Sequence, residues 1–312
     1  MKLIVTIPAY NEEETIASVI KEIPRDIEGI DEVKVLVLND GSKDKTVEVA
    51  KASGADYVIS NKENKGLATT FKTAIEEALN KGADIIVNTD ADNHYNQSKI
   101  PELVRPILNN NADIVIGSRM IDELEYMPKT NKYGNLLGSW FVCKLSDLPK
   151  VDVSSGYRAY SKEAALKMNV LSPHTYTHET LIQANDHKLT IAEVPIKARK
   201  VERESRLIKS VPKHITKSLA VIFRTFTLYK PLRVFVGVGA VLTAVGMIPL
   251  VRFMYYYFIG SGSGHIQSLI VGIMFVLIGF ITTVMALLAS AIGWNRKLIE
   301  EVLFKLRKIE RK

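Results

Sequence analysis

The sequence of 312 residues predicts an α/β domain built on a mostly parallel sheet, followed by two helices that cross a membrane. Three observations carry this prediction. Short apolar segments alternate with helix-like stretches in the first half of the chain, two long uncharged runs occupy its last third, and basic residues are concentrated before and after those runs. Strand-helix alternation with short connections favours right-handed crossovers, which place helices on both faces of a parallel sheet.

The alternation sets the expected elements. Strands are predicted at residues 2–7, 33–39, 56–59, 84–88 and 113–117. Helices are predicted at residues 12–22, 44–53, 66–80 and 98–110. Ligands gather at the carboxyl ends of the strands in sheets of this kind, so the residues that follow each strand are the candidate site.

The last third of the chain differs in character. Residues 234–251 and 266–292 contain no charged side chain. Eighteen residues of helix, at about 1.5 Å each, just cross a hydrocarbon layer of about 30 Å. Both runs are apolar on every side, which favours membrane spans at about 232–252 and 266–292 over a buried hairpin in a soluble protein. An aromatic segment and a glycine-serine loop separate the two spans.

The distribution of basic residues predicts the orientation. The net charge is +7, and lysine and arginine are frequent before the first span and in the tail, whereas the connection carries only Arg252 and His265. Both termini are therefore expected in the cytoplasm. The predicted organisation is a catalytic domain at 1–205, an amphipathic juxtamembrane helix at 206–230, the two spans within 231–293 and a basic tail helix at 294–312.

The single cysteine and the N-terminus limit the compartment. Cys143 has no second cysteine to pair with, so an internal disulfide is excluded and a reducing compartment is favoured. The chain enters its first strand at residue 2 and shows no signal-peptide pattern there.

The candidate site centres on Asp90 and Asp92, which follow the fourth predicted strand. Residues i and i+2 of an extended backbone point the same way, so the two carboxylates can address one point. Two such oxygen ligands suit Mg2+ or Mn2+, which usually complete their shell with substrate phosphates. The alternative for an isolated pair of this kind is a polar turn whose aspartates cap a helix.

Other strand ends carry ligand-type side chains as well. Tyr10 and Glu12 follow the first strand and suit a base and a ribose, and no Gly-x-Gly-x-x-Gly motif follows that strand, which argues against a dinucleotide site. Asp40 follows the second strand and can accept a hydrogen bond from a base. Arg119 follows the fifth strand and is a suitable charge partner for a metal-bound diphosphate.

Taken in order, four segments resemble the family 2 glycosyltransferases of the GT-A fold. They are Pro8-Ala9-Tyr10-Asn11-Glu12, Asn39-Asp40-Gly41-Ser42, Asp90-Ala91-Asp92 and Gly117-Ser118-Arg119. Downstream, the segment 152–158 (Asp-Val-Ser-Ser-Gly-Tyr-Arg) is similar to the acceptor loop of the polyprenyl-phosphate branch, which includes dolichol-phosphate mannose synthases and undecaprenyl-phosphate glycosyltransferases. Asn93 and His94 depart from the mannose synthases, which usually have a hydrophobic residue and then Gln-His-Pro, and the Gln-x-x-Arg-Trp signature of processive polysaccharide synthases is absent.

This resemblance implies an inverting enzyme that moves one hexosyl unit from a nucleotide-diphosphate sugar to a dolichyl or undecaprenyl phosphate. UDP-glucose or UDP-N-acetylglucosamine is favoured over GDP-mannose because of the departure after Asp92. It also implies roles for particular residues. Mg2+ or Mn2+ is expected on Asp90 and Asp92, and the expected catalytic residues are Asp92, Asp152, Arg119 and Arg206. The nucleotide is expected to contact Pro8, Tyr10, Glu12, Asp40 and Asp90. The acceptor is expected to contact Ser154, Ser155, Gly156 and Lys209.

Arg206 is as well explained by contact with anionic head groups as by a phosphate clamp. The acceptor could instead be another lipid such as a glycerolipid, and a non-catalytic membrane scaffold could keep the same fold. The expected partners are a nucleotide sugar, a polyprenyl phosphate and the membrane, with no nucleic acid, and paired spans also favour a homo-oligomer.

Overall fold

The structure is a computed structural model that describes residues 1–119, 139–140, 143–144, 148–171, 176–199, 223, 227 and 229–311. The described residues fall into two compact units, Met1–Ile222 with Leu303–Lys312 and Phe223–Val302. Arg206, Lys209 and most of the helix predicted at 206–230 lie outside the described residues.

The first unit is built on one mixed sheet of seven strands. They are β1 (Lys2–Ala9), β2 (Glu32–Asn39), β3 (Tyr57–Ser60), β4 (Ile85–Asn88), β5 (Ile114–Ser118), β6 (Arg158–Ser161) and β7 (Ile191–Pro195). Their order across the sheet is β3-β2-β1-β4-β6-β5-β7. Every neighbouring pair is parallel except β6 with β4 and with β5. The predicted mostly parallel sheet is confirmed, and β6 and β7 are strands that the apolar pattern did not predict.

Helices cover both faces of this sheet. They are α1 (Ile16–Glu22), α2 (Thr46–Ala52), α3 (Leu67–Asn80), α4 (Ile100–Leu108), α5 (Lys162–Lys167) and α6 (Thr177–Asp186). Side chains alternate along β1, so Leu3, Val5 and Ile7 pack in one core with α1 and α4, and Ile4 packs in the other with α3, α5 and α6. Odd-numbered residues of β1 therefore pack on one face of the sheet, and the even-numbered Ile4 packs on the other.

The helix α1 begins four residues later than the predicted helix at 12–22. Asn11 has a φ of 55°, which interrupts a helical path. The backbone N–H groups of Asn11 and Glu12 donate to Ser42 Oγ at 2.9 Å and to Thr46 Oγ1 at 2.8 Å. These groups are thus used to join the loop after β1 to the loop after β2.

The second unit contains two helices long and apolar enough to cross a membrane, α7 (Pro231–Phe258) and the greater part of α8 (Ile266–Glu310). Most of their apolar side chains are exposed. A Cβ on Gly246 would lie 2.9 Å from the carbonyl oxygen of Gly272, and one on Gly239 would lie 2.7 Å from that of Gly279. Small residues thus let the two backbones approach closely, which is how helices commonly pair in lipid.

The helix α8 differs from the prediction of a span at 266–292 followed by a separate tail helix at 294–312. It runs unbroken to Glu310. Gly293 is the only glycine after residue 279 and no proline follows it. One glycine costs a helix only about 1 kcal/mol, so nothing in this stretch ends it. Near its C-terminus, Arg307 Nη1 donates to the carbonyl oxygens of Leu166 and Met168 at 3.1 Å, within the first unit.

Candidate active site

The strand ends meet at one edge of the sheet. Ala9 pairs with Asn39 at the ends of β1 and β2, and Thr6 pairs with Asn88 at the end of β4. The antiparallel strand β6 starts at this edge, where Arg158 pairs with Asn88. The loop 152–157 before β6 therefore lies beside the loop that follows β4.

The loop after β1 touches the loop after β4 through Thr15. Its Oγ1 lies 2.9 Å from Glu12 Oε2 and 2.7 Å from the carbonyl oxygen of Ala91, the residue between the two aspartates. Tyr10 keeps 37% of its surface exposed, whereas Pro8 is buried within β1. Of the residues predicted to bind the nucleotide from this loop, Tyr10 is accessible and Glu12 is held against the Asp90–Asp92 loop.

Asp40 organises a different loop. Its Oδ1 accepts hydrogen bonds from Asn61 Nδ2 and the Lys65 N–H, and its Oδ2 accepts one from the Gly66 N–H, each at 2.9 Å. An ionised carboxylate has about four acceptor positions, and three are used here. Asp40 thus fixes the segment that leads into α3, and about one acceptor position of its carboxylate would be left for a bound base.

Asp90 is surrounded by negative charge. The pKa of its carboxyl is raised to about 7, chiefly by burial and then by the negative charges of Asp92 and Glu12, with Arg119 opposing the rise. Asp92 holds the next turn, since its Oδ1 accepts a hydrogen bond from the His94 N–H at 3.1 Å. Anionic groups gathered in this way favour a cation, because a divalent ion reverses the local repulsion.

The donor set fits a Mg2+ or Mn2+ ion that is completed by substrate. Among the residues that the structure describes, no three His, Cys, Asp or Glu side chains could together hold a metal ion. Mg2+ is commonly held by only one or two carboxylates, with waters and substrate phosphates in its other positions. Asp90 and Asp92 match that pattern.

Arg119 and Asp152 form a nearly buried ion pair. Arg119 Nε donates to Asp152 Oδ2 at 2.8 Å, Nη2 donates to Oδ1 at 3.0 Å, and Nη2 also contacts Ser154 Oγ. The exposed fractions of the two side chains are 12% and 5%. Burial raises the pKa of Asp152, but the Arg119 hydrogen bonds and charge outweigh it and leave the pKa below its usual range. Ser154 Oγ also donates to Asp152 Oδ1 at 2.9 Å.

Gly156 lies directly against the Asp90 carboxylate. A Cβ at this position would be 3.2 Å from both carboxylate oxygens and 2.8 Å from Tyr176 Oη. Its N–H donates to Tyr95 Oη at 3.2 Å. By contrast Ser155 is fully buried and its hydroxyl donates to the carbonyl oxygen of Gly117 at 2.6 Å. Of the predicted acceptor-binding residues, Gly156 lies beside Asp90, and Ser155 joins the loop to β5.

Sequence reasoning missed Asn88 and Tyr176. Asn88 is fully buried, and its Nδ2 donates to the Gly156 carbonyl oxygen at 3.0 Å and to Tyr176 Oη at 2.9 Å. The Tyr176 ring stacks on Phe71 with centroids 3.8 Å apart. The available signal was a polar amide ending the otherwise apolar strand β4, because a buried amide must find hydrogen-bond partners.

Asn93 and His94, the two residues that depart from the mannose synthases, have distinct environments. Asn93 has a φ of 59°, and its Oδ1 accepts a hydrogen bond from Arg199 Nη1 at 2.8 Å. The His94 ring packs edge-on against Tyr95, and burial lowers the pKa of His94, which favours the neutral imidazole. A neutral ring and a fixed amide next to Asp92 offer hydrogen-bonding groups without added charge.

Replacement of Gly156 by alanine tests how tightly the loop must fit. We expect kcat/KM to fall by about tenfold to a hundredfold, because the new methyl group would displace Tyr176 Oη and press on the Asp90 carboxylate, and small displacements in an active site have effects of that size. Steady-state kinetics on the purified variant measure the effect. Gly264→Ala is the matched control, since a Cβ there would meet no atom within 4 Å. Equal activity in both variants would contradict the close approach.

Comparison with known proteins adds independent information. The family model described as glycosyl transferase family 2 matches residues 4–168. A UDP-N-acetylglucosamine–dolichyl-phosphate N-acetylglucosaminyltransferase of Methanococcus voltae is 34% identical over 215 residues, which cover 61% of this chain and 83% of that relative. A dolichyl-phosphate hexose transferase of Haloferax volcanii is 31% identical over 205 residues, which cover 66% of this chain and 86% of that relative.

A solved structure has the same fold. The glucosyl-3-phosphoglycerate synthase of Mycobacterium tuberculosis, in complex with Mn2+ and uridine-diphosphate-glucose, superposes with a TM-score of 0.57 and 24% sequence identity. The match covers 72% of this chain and 78% of that one. At this level of identity the likeness concerns the fold alone.

Proposed function

Because this chain belongs to glycosyltransferase family 2, we propose that it transfers one hexosyl unit from a nucleotide-diphosphate sugar to a polyprenyl phosphate at the membrane surface. The observation that carries the proposal is the edge of the sheet at which Asp90, Asp92, Arg119 and Gly156 meet, in a chain that also has two helices of membrane-spanning length. The names of the Methanococcus and Haloferax relatives support a dolichyl phosphate acceptor.

In this proposal Asp90 and Asp92 hold Mg2+ or Mn2+, which supplies charge neutralisation for the leaving nucleoside diphosphate. Arg119 adds a second positive charge at the same edge of the sheet. Its guanidinium is fixed in position by Asp152, so no reorganisation is needed when negative charge develops. Tyr10 and Asp40 contact the nucleotide from the loops after β1 and β2.

The acceptor needs orientation more than deprotonation. A phosphate monoester has a second pKa of about 6, so its oxygen is already ionised at pH 7. Asp152 is paired with Arg119 and its pKa is lowered, and we therefore assign it the positioning of Arg119 rather than the uptake of a proton. The loop at Ser154 and Gly156 presents the acceptor phosphate in line with the departing diphosphate, which gives inversion at the anomeric carbon.

We favour UDP-glucose or UDP-N-acetylglucosamine as donor. The support is the Asn93-His94 departure from the mannose synthase pattern, together with the UDP-sugar named for the Methanococcus relative. We propose that α7 and α8 insert into the membrane with the catalytic domain and both termini in the cytoplasm, an orientation supported by the basic residues that flank the two spans.

Transfer assays on the full-length protein in detergent micelles test the proposal. Radiolabelled UDP-glucose, UDP-N-acetylglucosamine and GDP-mannose are each supplied with polyprenyl phosphate and Mg2+ or Mn2+. We expect one of the UDP-sugars to label the lipid, and mild acid to release the sugar. A labelled lipid that is stable to mild acid would indicate a different acceptor. Absence of transfer with all three donors, from protein that still binds UDP, would favour the scaffold.

A further inference from the structure

Arg199 joins the segment that follows β7 to the turn that follows Asp92. Directly after β7, the Ile196 N–H donates to the carbonyl oxygen of Ser118 at 2.8 Å. Three residues later, the Arg199 N–H donates to the carbonyl oxygen of His94, also at 2.8 Å. This short segment therefore runs along the edge of the sheet from the end of β5 to the turn after Asp92.

The Arg199 guanidinium holds the same turn through its side chain. Its Nη1 donates to Asn93 Oδ1 and to Glu22 Oε2, each at 2.8 Å, and its Nη2 contacts Glu22 Oε1. Glu22, the last residue of α1, also accepts a hydrogen bond from the Gln97 N–H at 3.3 Å. The arginine and the glutamate thus hold both ends of the segment 93–97 against α1.

The turn needs this support because of its backbone conformation. Asn93 has a φ of 59°, in the left-handed region, where a residue other than glycine persists when its surroundings hold it there. The next N–H, that of His94, donates to Asp92 Oδ1 at 3.1 Å. Among the described residues, this is the one hydrogen bond to the Asp92 carboxylate. The orientation of that carboxylate therefore depends on the conformation of the turn.

We propose that Arg199 is a positioning residue for Asp92. Its backbone N–H and its guanidinium fix the turn at Asn93 and His94, and the turn fixes the carboxylate. Removal of a group that orients a metal ligand commonly lowers metal affinity or activity by about 10–100-fold. The inference rests on the proposed function, in which Asp92 holds Mg2+ or Mn2+, and it extends that site to the segment after β7.

The sign of the effect on metal affinity separates positioning from charge. Loss of a positive charge close to a cation site strengthens cation binding, because the repulsion between like charges disappears. Loss of the support for the turn weakens cation binding, because the Asp92 side chain then populates other rotamers. The variant Arg199→Gln removes both the charge and the support, so weaker binding identifies positioning as the larger effect.

Mn2+ titration of the full-length protein in detergent, followed by electron paramagnetic resonance without nucleotide sugar, tests this inference. We expect Arg199→Gln to bind Mn2+ about tenfold more weakly than the unaltered protein, and kcat/KM for transfer to fall by a similar factor. Arg199→Lys should stay impaired, because an ammonium group lacks the fork with which the guanidinium reaches two acceptors. Asn93→Gly keeps the positive φ but removes the acceptor, and it should also weaken Mn2+ binding.

Arg25→Gln is the matched control. The Arg25 side chain is 41% exposed, against 38% for Arg199, and its guanidinium likewise binds a carboxylate, that of Asp56, and backbone oxygens, those of Val33 and Gly54. It should show a change in Tm similar to that of Arg199→Gln and bind Mn2+ like the unaltered protein.

Three results would contradict the inference in different ways. Equal or tighter Mn2+ binding by Arg199→Gln would overturn the positioning role, and so would equal weakening in Arg25→Gln. Full recovery by Arg199→Lys would assign the effect to charge and overturn positioning by hydrogen bonds. If the unaltered protein neither bound Mn2+ nor transferred sugar, the proposed function itself would be overturned, and this inference with it.

Discussion

Asp92→Asn is expected to lower kcat/KM for sugar transfer about a thousandfold while leaving the folded domain intact. Divalent cations supply several kcal/mol of charge stabilisation in reactions of this kind, and each 1.4 kcal/mol corresponds to about a factor of ten in rate. The fold should not suffer, because the negative charge of Asp92 raises the pKa of Asp90 and thus opposes its ionisation. Removing that charge relieves a repulsion that the cation-free protein contains.

Three measurements separate the chemical role of Asp92 from a structural one. Transfer kinetics give the loss of rate, thermal unfolding without metal should give an equal or slightly higher Tm, and Mn2+ titration followed by electron paramagnetic resonance should show at least about tenfold weaker binding. Asp26→Asn removes the same charge from an exposed position and is the control. Unchanged transfer would contradict the metal assignment, and a Tm lowered by several degrees would make Asp92 a structural residue.

The parallel part of the sheet was predictable because its signal is local. The strands β1, β2, β4 and β5 consist mostly of apolar residues, and their ends differ from the predicted ones by no more than two residues. Once the strands are parallel, the residues after them must share an edge, and Asp40, Asp90 and Arg119 follow from that rule alone. Helix starts were less predictable, since the contacts of Asn11 and Glu12 with another loop replaced the first helical turn.

The inner part of the site was not predictable, because it depends on a pairing between distant segments. The strand β6 has only four residues, begins with a charged one and inserts antiparallel between β4 and β5. That insertion brings Gly156 to the Asp90 carboxylate and gives Asn88 its partners. No periodicity in residues 152–161 indicates which two strands would receive them. The same holds for Tyr176, which reaches Asn88 from a separate helix.

The Arg119–Asp152 pair is expected to act as a single unit in a double-mutant cycle. Arg119→Gln or Asp152→Asn alone should lower the free energy of unfolding by about 3–5 kcal/mol, because each leaves a nearly buried charge without its partner. The double variant should lose much less than the sum of the two, since neither charge then remains. In transfer assays all three variants should be similarly impaired, because Asp152 contributes through the position of Arg119.

The dependence of stability on pH provides a second test of the Arg119–Asp152 pair, and an exposed ion pair provides the control. Because the folded-state pKa of Asp152 is lowered, its contribution to stability is present above the unfolded value of about 3.9 and is lost as the pH falls through the folded value. The stability difference between the protein and Asp152→Asn should thus shrink only below about pH 4. The pair of Arg25 and Asp56, with exposed fractions of 41% and 22%, provides the matched cycle, in which the coupling should stay below about 1 kcal/mol. If Asp152 were instead a general base, Asp152→Asn would abolish transfer while Arg119→Gln retained much of it. If the losses in the free energy of unfolding were additive in the double variant, the two side chains would act independently.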